Sequence, residues 1–214
     1  MTQPLLANVI TMPVKKPRST KRGKLDFLTP DELLAVLRVA HEHSTRSWAM
    51  ILIAYKHGLR ASEVCGLKLA DVNLKDCTIS AERLKGSLHT VQQLMPHRGQ
   101  PLLDELAALR EWLKIRPADS GDALFVSQKG GHLSRGQFFS IFREIAERAG
   151  LPASKRHPHT LKHSLGTHLV GANVNLAKVG QFLGHKSISS TMKYVSVSDR
   201  QASEAARDAL MNIF

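Results

Sequence analysis

Cysteine is scarce in this chain, and aromatic residues make up only 5% of it. Two cysteines, Cys65 and Cys77, exclude a disulfide framework of the kind small secreted domains rely on. Both sit among apolar neighbours and read as reduced core residues of a cytosolic protein. Few aromatics argue against a platform that stacks single-stranded bases. No run of about 18 apolar residues is present, so a transmembrane helix is not expected. The opening MTQPLLANVITMPV is mildly apolar, but its basic residues follow the apolar part, the reverse of a secretory signal. The expected location is therefore cytoplasmic, near the nucleoid, without a membrane partner.

Acid is missing altogether from residues 1–24, which hold Lys15, Lys16, Arg18, Lys21, Arg22 and Lys24. The whole chain carries 30 Lys and Arg against 18 Asp and Glu, a formal +12 with pI near 10.1. The body stays basic without the first segment. A basic tail alone is a solvated or targeting segment, but a basic body as well points to a polyanion, most simply the backbone of duplex DNA. With 214 residues, 43% of them hydrophobic, the chain is long enough for one domain with a real core.

Pro, Gly, Ser and charge make PVKKPRSTKRGK (13–24) a flexible arm able to wrap the far side of a duplex. Order begins at LTPDELLAVLRVAHEH, where Thr29, Pro30 and Glu32 form a capping box and Leu33, Leu34, Val36 and Leu37 an apolar face. RSWAMILIAYKHG reads as a buried second helix ending at Gly58, and RASEVCGLKLADV as a short third one. Period-two patterning then predicts a small antiparallel sheet from VNLKDCTISAERL and LHTVQQLM, turned at Lys85-Gly86-Ser87. Helices resume in PLLDELAALREWLKIR, followed by a short strand ALFVS and the helix SRGQFFSIFREIAERAG. Three more helical stretches lead to SDRQASEAARDALMNIF, whose Ala205, Ala209, Leu210 and Ile213 keep helical spacing. The fold class is mainly α with a small antiparallel β-sheet.

HPHTLKHSLGTHL (157–169) concentrates four histidines around one lysine. At about 100° per residue, Leu161, Leu165, His168 and Leu169 share a core face. His159, His163 and Gly166 lie on the other, and Lys162 on the border. Three readings compete. A metal site from His159 and His163 lacks a nearby acidic or thiolate ligand and the HExxH base, so no metal is expected. Core or surface histidines are the ordinary outcome for such residues. A phosphate grip needs further cations elsewhere in the chain.

Those cations occur, in order, in HGLRASEVCGLKLADV (57–72), RLKGSLHT (83–90), the helix just described, VGQFLGHKS (179–187) and STMKYV (190–195). The series resembles the tyrosine recombinase (phage integrase) family over roughly 27–200, and its short form is similar to the fimbrial phase-switch recombinases. The resemblance implies a catalytic domain over 25–200, with a C-terminal helix over 201–214 that packs in cis or exchanges between subunits. It implies that Arg60 clamps a non-bridging oxygen of the scissile phosphate, and that Lys85 protonates the departing 5′-oxygen. His159 would assist proton movement at the tyrosine, His185 would hydrogen-bond the phosphate, and Tyr194 would be the nucleophile that forms a 3′-phosphotyrosyl link. No cofactor, metal or ATP is implied. A monomer in solution would assemble as a homo-tetramer on double-stranded DNA.

One position departs from the pattern. Lys162 stands where the family has its second arginine, so the charge is kept and the two-pronged fork lost. Losing one charge-assisted hydrogen bond raises a barrier by roughly 1.5–3 kcal/mol, about 10- to 100-fold in rate. The alternative is a weakened or inactive relative acting as a DNA-binding regulator. Glu63 reads as a helix-surface or supporting acid, and Lys129 and Arg135 as DNA-facing charges outside the site.

Overall fold

In the computed structural model the described residues are 26–83, 88–128, 130–195, 206–208 and 210–211. The arm and Lys85 lie outside them, as do Lys129, Ala205, Ala209 and Ile213. Helix α1 (Pro30–His43) starts where expected. The Glu32 N–H donates to Thr29 Oγ1 at 3.2 Å, and the Thr29 N–H to Glu32 Oε2 at 2.7 Å. Such a cap contributes about 1 kcal/mol. Helix α2 (Thr45–Lys56) is buried from Ser47 through Ala54, as befits a helix apolar all round. It packs against α1, α4 (Glu105–Ile115) and α6 (His159–Gly171).

The end of α2 sets the path of the chain into the site. Gly58 has φ +56, a conformation a side chain disfavours, and a Cβ there would stand 2.5 Å from Leu183 Cδ2. The chain reverses tightly at this glycine, and Arg60 then caps the short α3 (Ala61–Cys65). A three-residue 3₁₀ turn leads to β1 (Val72–Asn73), β2 (Thr78–Ala81) and β3 (Thr90–Gln93), an antiparallel sheet in that order. Ile79 pairs with Gln92 and Ala81 with Thr90. Strand β3 turns its polar residues inward: Thr90 and Gln92 are buried, whereas Val91 is exposed. Gln92 is held at both ends: its Oε1 accepts from His57 Nδ1 at 2.7 Å, and its Nε2–H donates to the Phe182 carbonyl at 2.6 Å.

ALFVS is not a strand. Ala123 through Val126 are all buried, but their pairing is limited to isolated bridges, Ala123 to Lys68 and Val126 to His132. Side chains take the carbonyls a ladder would use: Arg116 Nε bonds Ala123 O, Trp112 Nε1 bonds Leu124 O, and Arg46 Nη1 bonds Val126 O. The segment is a buried, bent plug in the chain between α4 and α5 (Arg135–Arg148).

Most of the core is continuous from α1 and α2 through α4 and α5. A second apolar cluster of Leu165, Val179, Leu183 and Tyr194 lies between α6, α7 (Leu176–Phe182) and α8 (Ser189–Met192). Ala206–Asp208 and Leu210–Met211 are helical and exposed. Among the described residues no helix is long and apolar enough to cross a membrane.

Candidate active site

Arg60, His159, Lys162 and His185 line one cavity of about 1150 Å³. Three different constraints place them there. The Gly58 turn delivers Arg60. The 3.6-residue period of α6 delivers His159 and Lys162 on adjoining faces. The end of α7 at Gly184, with φ +68, delivers His185. Arg60 Nη1 donates to Glu63 Oε1 at 2.7 Å, and Glu63 Oε2 accepts from the Arg60 backbone N–H at 2.8 Å. Burial would raise the Glu63 pKa, but hydrogen bonds from Arg60 and the charges of Lys162 and Arg83 bring it below the usual carboxylate value.

Lys162 is not a border residue. It is 1% exposed, and its Nζ donates to the Gly58 carbonyl at 2.7 Å and to the Leu183 carbonyl at 3.1 Å. Burial, and then the neighbouring charge of Arg83, pull its pKa from 10.5 to about 7. Two of three ammonium protons are thus held by backbone, which leaves one for a ligand in the cavity. The helix spacing gave the direction of this side chain, but not the α2–α3 turn and the α7 end that close over it.

The site histidines are neutral at pH 7. Burial, followed by the charges of Lys193, Lys162 and Arg60, lowers His159 to about 4. His163 falls to about 3 through burial and His159, whose ring centroid is 4.3 Å away. His185 falls to about 4 through burial and the charge of Lys162, and its Nδ1 meets Thr191 Oγ1 at 2.9 Å. Among the described residues no group of three or more His, Cys, Asp or Glu is placed to hold a metal.

Tyr194 packs behind this wall. Its ring lies parallel to His185, with centroids 6.3 Å apart and planes 13° apart, and faces His163 edge-on at 6.1 Å. Gly166 provides the space: a Cβ there would stand 2.5 Å from the tyrosine ring. The Lys193 ammonium sits 5.0 Å above the ring centroid. The hydroxyl is buried with no hydrogen-bond partner among the described residues, and burial raises its pKa well above that of a free phenol.

The spacing of α6 and the order of the motifs therefore bring Arg60, His159, Lys162, His185 and Tyr194 together. Arg135, expected outside the site, also lines the cavity, as do Lys186 and Lys193. Sequence reasoning missed Arg83, which is buried beside Lys162. A signal for it existed. Ile79 and Ala81 face inward on β2, and period two continues that series to Arg83.

A helical domain with a small three-stranded sheet, and with these cations and a tyrosine at one cavity, defines a site-specific recombinase of the tyrosine class. A model of the phage integrase family matches residues 26–201, and the chain belongs to that family. It is 36% identical to the type 1 fimbriae regulatory protein FimB of Escherichia coli over 179 residues, which cover 81% of this chain and 85% of FimB. It is also 36% identical to tyrosine recombinase XerC of Haemophilus ducreyi, over 70% of this chain and 47% of XerC. Among solved structures, the XerH recombinase bound to its difH substrate before cleavage superposes with TM-score 0.71 at 27% identity. That match covers 86% of this chain and 54% of XerH; the XerA recombinase matches with TM-score 0.70 and 25% identity over 64% of its own length.

Proposed function

We propose that the chain cleaves and rejoins duplex DNA at a specific site through a 3′-phosphotyrosyl intermediate, needing neither metal nor ATP. The observation that carries this reading is the convergence of Arg60, His159, Lys162 and His185 on one cavity with Tyr194 packed directly behind it. The Tyr194 hydroxyl attacks phosphorus and the bond to the 5′-oxygen breaks. The proton of Tyr194 passes to His159, and Lys85 protonates the departing oxygen. Arg60, Lys162 and His185 hold the negative charge that gathers on the non-bridging oxygens. A covalent link conserves the energy of the broken bond, so a 5′-hydroxyl from another strand reseals it.

Arrival of DNA also activates the site. The charges of Lys193, Lys162 and Arg60 help hold His159 near 4. A phosphodiester among them offsets that field and raises the basicity of His159 as the nucleophile needs it. Because the free protein buries the Tyr194 hydroxyl, DNA must also shift α8 to present it. The basic residues of 15–24 contact backbone phosphates, so deleting 1–24 weakens binding and flattens its salt dependence. Monomers assemble as a tetramer on DNA.

A second reading, a DNA-binding regulator with a weakened site, is favoured by one observation: two of the three protons of Lys162 are already committed to carbonyls. Trapping on nicked duplexes taken from DNA flanking the gene, with EDTA present, separates the two. A covalent adduct with wild type, absent from Tyr194→Phe, supports the recombinase. Adduct from Lys162→Arg alone supports the regulator.

A further inference from the structure

We infer that Arg83 is a positioning residue of this site, tying the first arginine, the buried lysine and His185 into one unit. The inference rests on the recombinase reading for the roles of those residues, but its geometry stands separately. The side chain of Arg83 is fully buried, and all five of its donor hydrogens find acceptors. Nε donates to Thr90 Oγ1 at 3.1 Å. Nη1 donates to the Gly58 carbonyl at 3.1 Å and to Glu63 Oε2 at 3.3 Å. Nη2 donates to the His57 carbonyl at 2.9 Å and the Phe182 carbonyl at 3.2 Å.

Each acceptor leads to a different part of the site. Gly58 is two residues before Arg60, and the same Glu63 carboxylate that meets Arg83 orients the Arg60 guanidinium. Phe182 ends α7 three residues before His185. Arg83 itself is two residues before Lys85. At Gly58 the carbonyl is shared, since Lys162 Nζ donates to it as well. The Phe182 carbonyl at the end of α7 accepts from both Arg83 and Gln92, and a cationic donor there also opposes the negative end of the helix. The Gly184 carbonyl is taken by the Leu88 N–H at 3.2 Å, so both residues that flank the lysine turn, 83 and 88, are fastened to the end of α7.

The charge of Arg83 acts on the same neighbour. The groups that face Lys162 are Arg83 from the hairpin, Glu63 and Arg60 from the α3 region, Lys193 beside α8, His159 on its own helix and His185 after α7. Removing Arg83 deletes the largest repulsion and makes Lys162 harder to deprotonate.

The test uses full-length Arg83→Met and Arg83→Lys with two readouts, single-turnover adduct formation against pH and denaturant stability against pH. Arg83→Met is expected to bind duplex DNA within about threefold of wild type at fixed salt, yet to cleave about 100-fold more slowly, the scale of a small misplacement of reacting groups. The alkaline fall in its rate moves to higher pH. Arg83→Lys keeps the charge but loses the fork, so it recovers about tenfold of the rate and leaves that limb in place. Adduct that falls only in proportion to the folded fraction, with an unmoved limb, would make Arg83 a structural staple and overturn the inference. If Arg83→Met does not fold, Arg83→Lys decides: wild-type cleavage from that variant refutes the need for the fork. If wild type itself forms no adduct, the recombinase reading fails first. The stability curves then still decide whether Arg83 and Lys162 act as one unit, because an unchanged Lys162 titration in Arg83→Met refutes it.

Discussion

Replacing Lys162 with methionine keeps its length and removes its charge, and the consequence is written in the pH dependence of folding. In the unfolded chain this lysine is protonated below about 10.5, the ordinary lysine value. In the folded protein, burial and Arg83 bring it to about 7, with Glu63 opposing them. Folding therefore releases a proton between those two values. The contribution of Lys162 to stability is fully present above 10.5 and is lost as the pH falls toward 7. A shift of three to four units corresponds to roughly 5 kcal/mol across the window, with a slope that approaches about 1.4 kcal/mol per pH unit. Urea denaturation of wild type and Lys162→Met at pH 6, 7, 8, 9 and 10 measures it. The slope is the informative quantity, since methionine also gives up the bonds to the Gly58 and Leu183 carbonyls, which moves the intercept. Wild type should gain on the variant by about 1 kcal/mol per unit from pH 8 to 10, with the difference levelling off toward pH 6. Parallel curves over the whole range would show that Lys162 stays charged in the fold and would sink the reasoning. The same logic gives a binding signature. A phosphodiester favours the ammonium, so duplex DNA bound at pH 8 is taken up together with a proton, visible calorimetrically in buffers of different ionisation enthalpy.

Tyr194→Phe should abolish the covalent adduct while raising stability by about 1 kcal/mol, because it removes a buried hydroxyl that has no partner among the described residues; a loss of stability in urea denaturation would mean that the hydroxyl is bonded in solution. Gly166→Ala drives a methyl group against the tyrosine ring and should cost about 1–3 kcal/mol. It should also make Tyr194 reactive to tetranitromethane where wild type is protected, as mass spectrometry of the nitrated peptide would read. Glu63→Gln strips the carboxylate from between Arg60 and Arg83 and should destabilise by about 3–5 kcal/mol in the same denaturation assay; a change under 1 kcal/mol would remove Glu63 as the counter-charge of the site.

The parts of this molecule that the sequence makes legible are those with one dominant local cause. Thr29 and Glu32 cap α1 because the pair satisfies each other's backbone donors whatever packs nearby. His159, Lys162 and Gly166 meet on α6 because helical period alone puts them there. The exceptions all need a long-range partner. ALFVS carries strand-forming residues, yet Arg46, Trp112 and Arg116, distant in the chain or across a helix, take its carbonyls. Thr90 and Gln92 point inward against the apolar rule because Arg83, His57 and Phe182 present polar groups to them. Period two puts Arg83 on the inward side of β2, but its role shows only once five acceptors from distant parts of the chain surround it.

The same asymmetry explains why motif order grouped the residues of the candidate site but said nothing of how their charges balance. Arg60, Arg83 and Lys162 crowd around one carboxylate, Glu63, so positive charge exceeds negative charge in a place shielded from water. Such an excess is unfavourable in the free protein. Together with burial it lowers the pKa of Lys162 to about 7 and those of His159 and His185 to about 4. In the proposed reaction one phosphodiester would supply the missing negative charge, favouring the ammonium of Lys162 and the basicity of His159. Residue types and spacing record the complement of the phosphate. The strain of its absence is a property of packing, and packing becomes visible only when Gly58, Leu183 and Gly166 are seen closing around the charges.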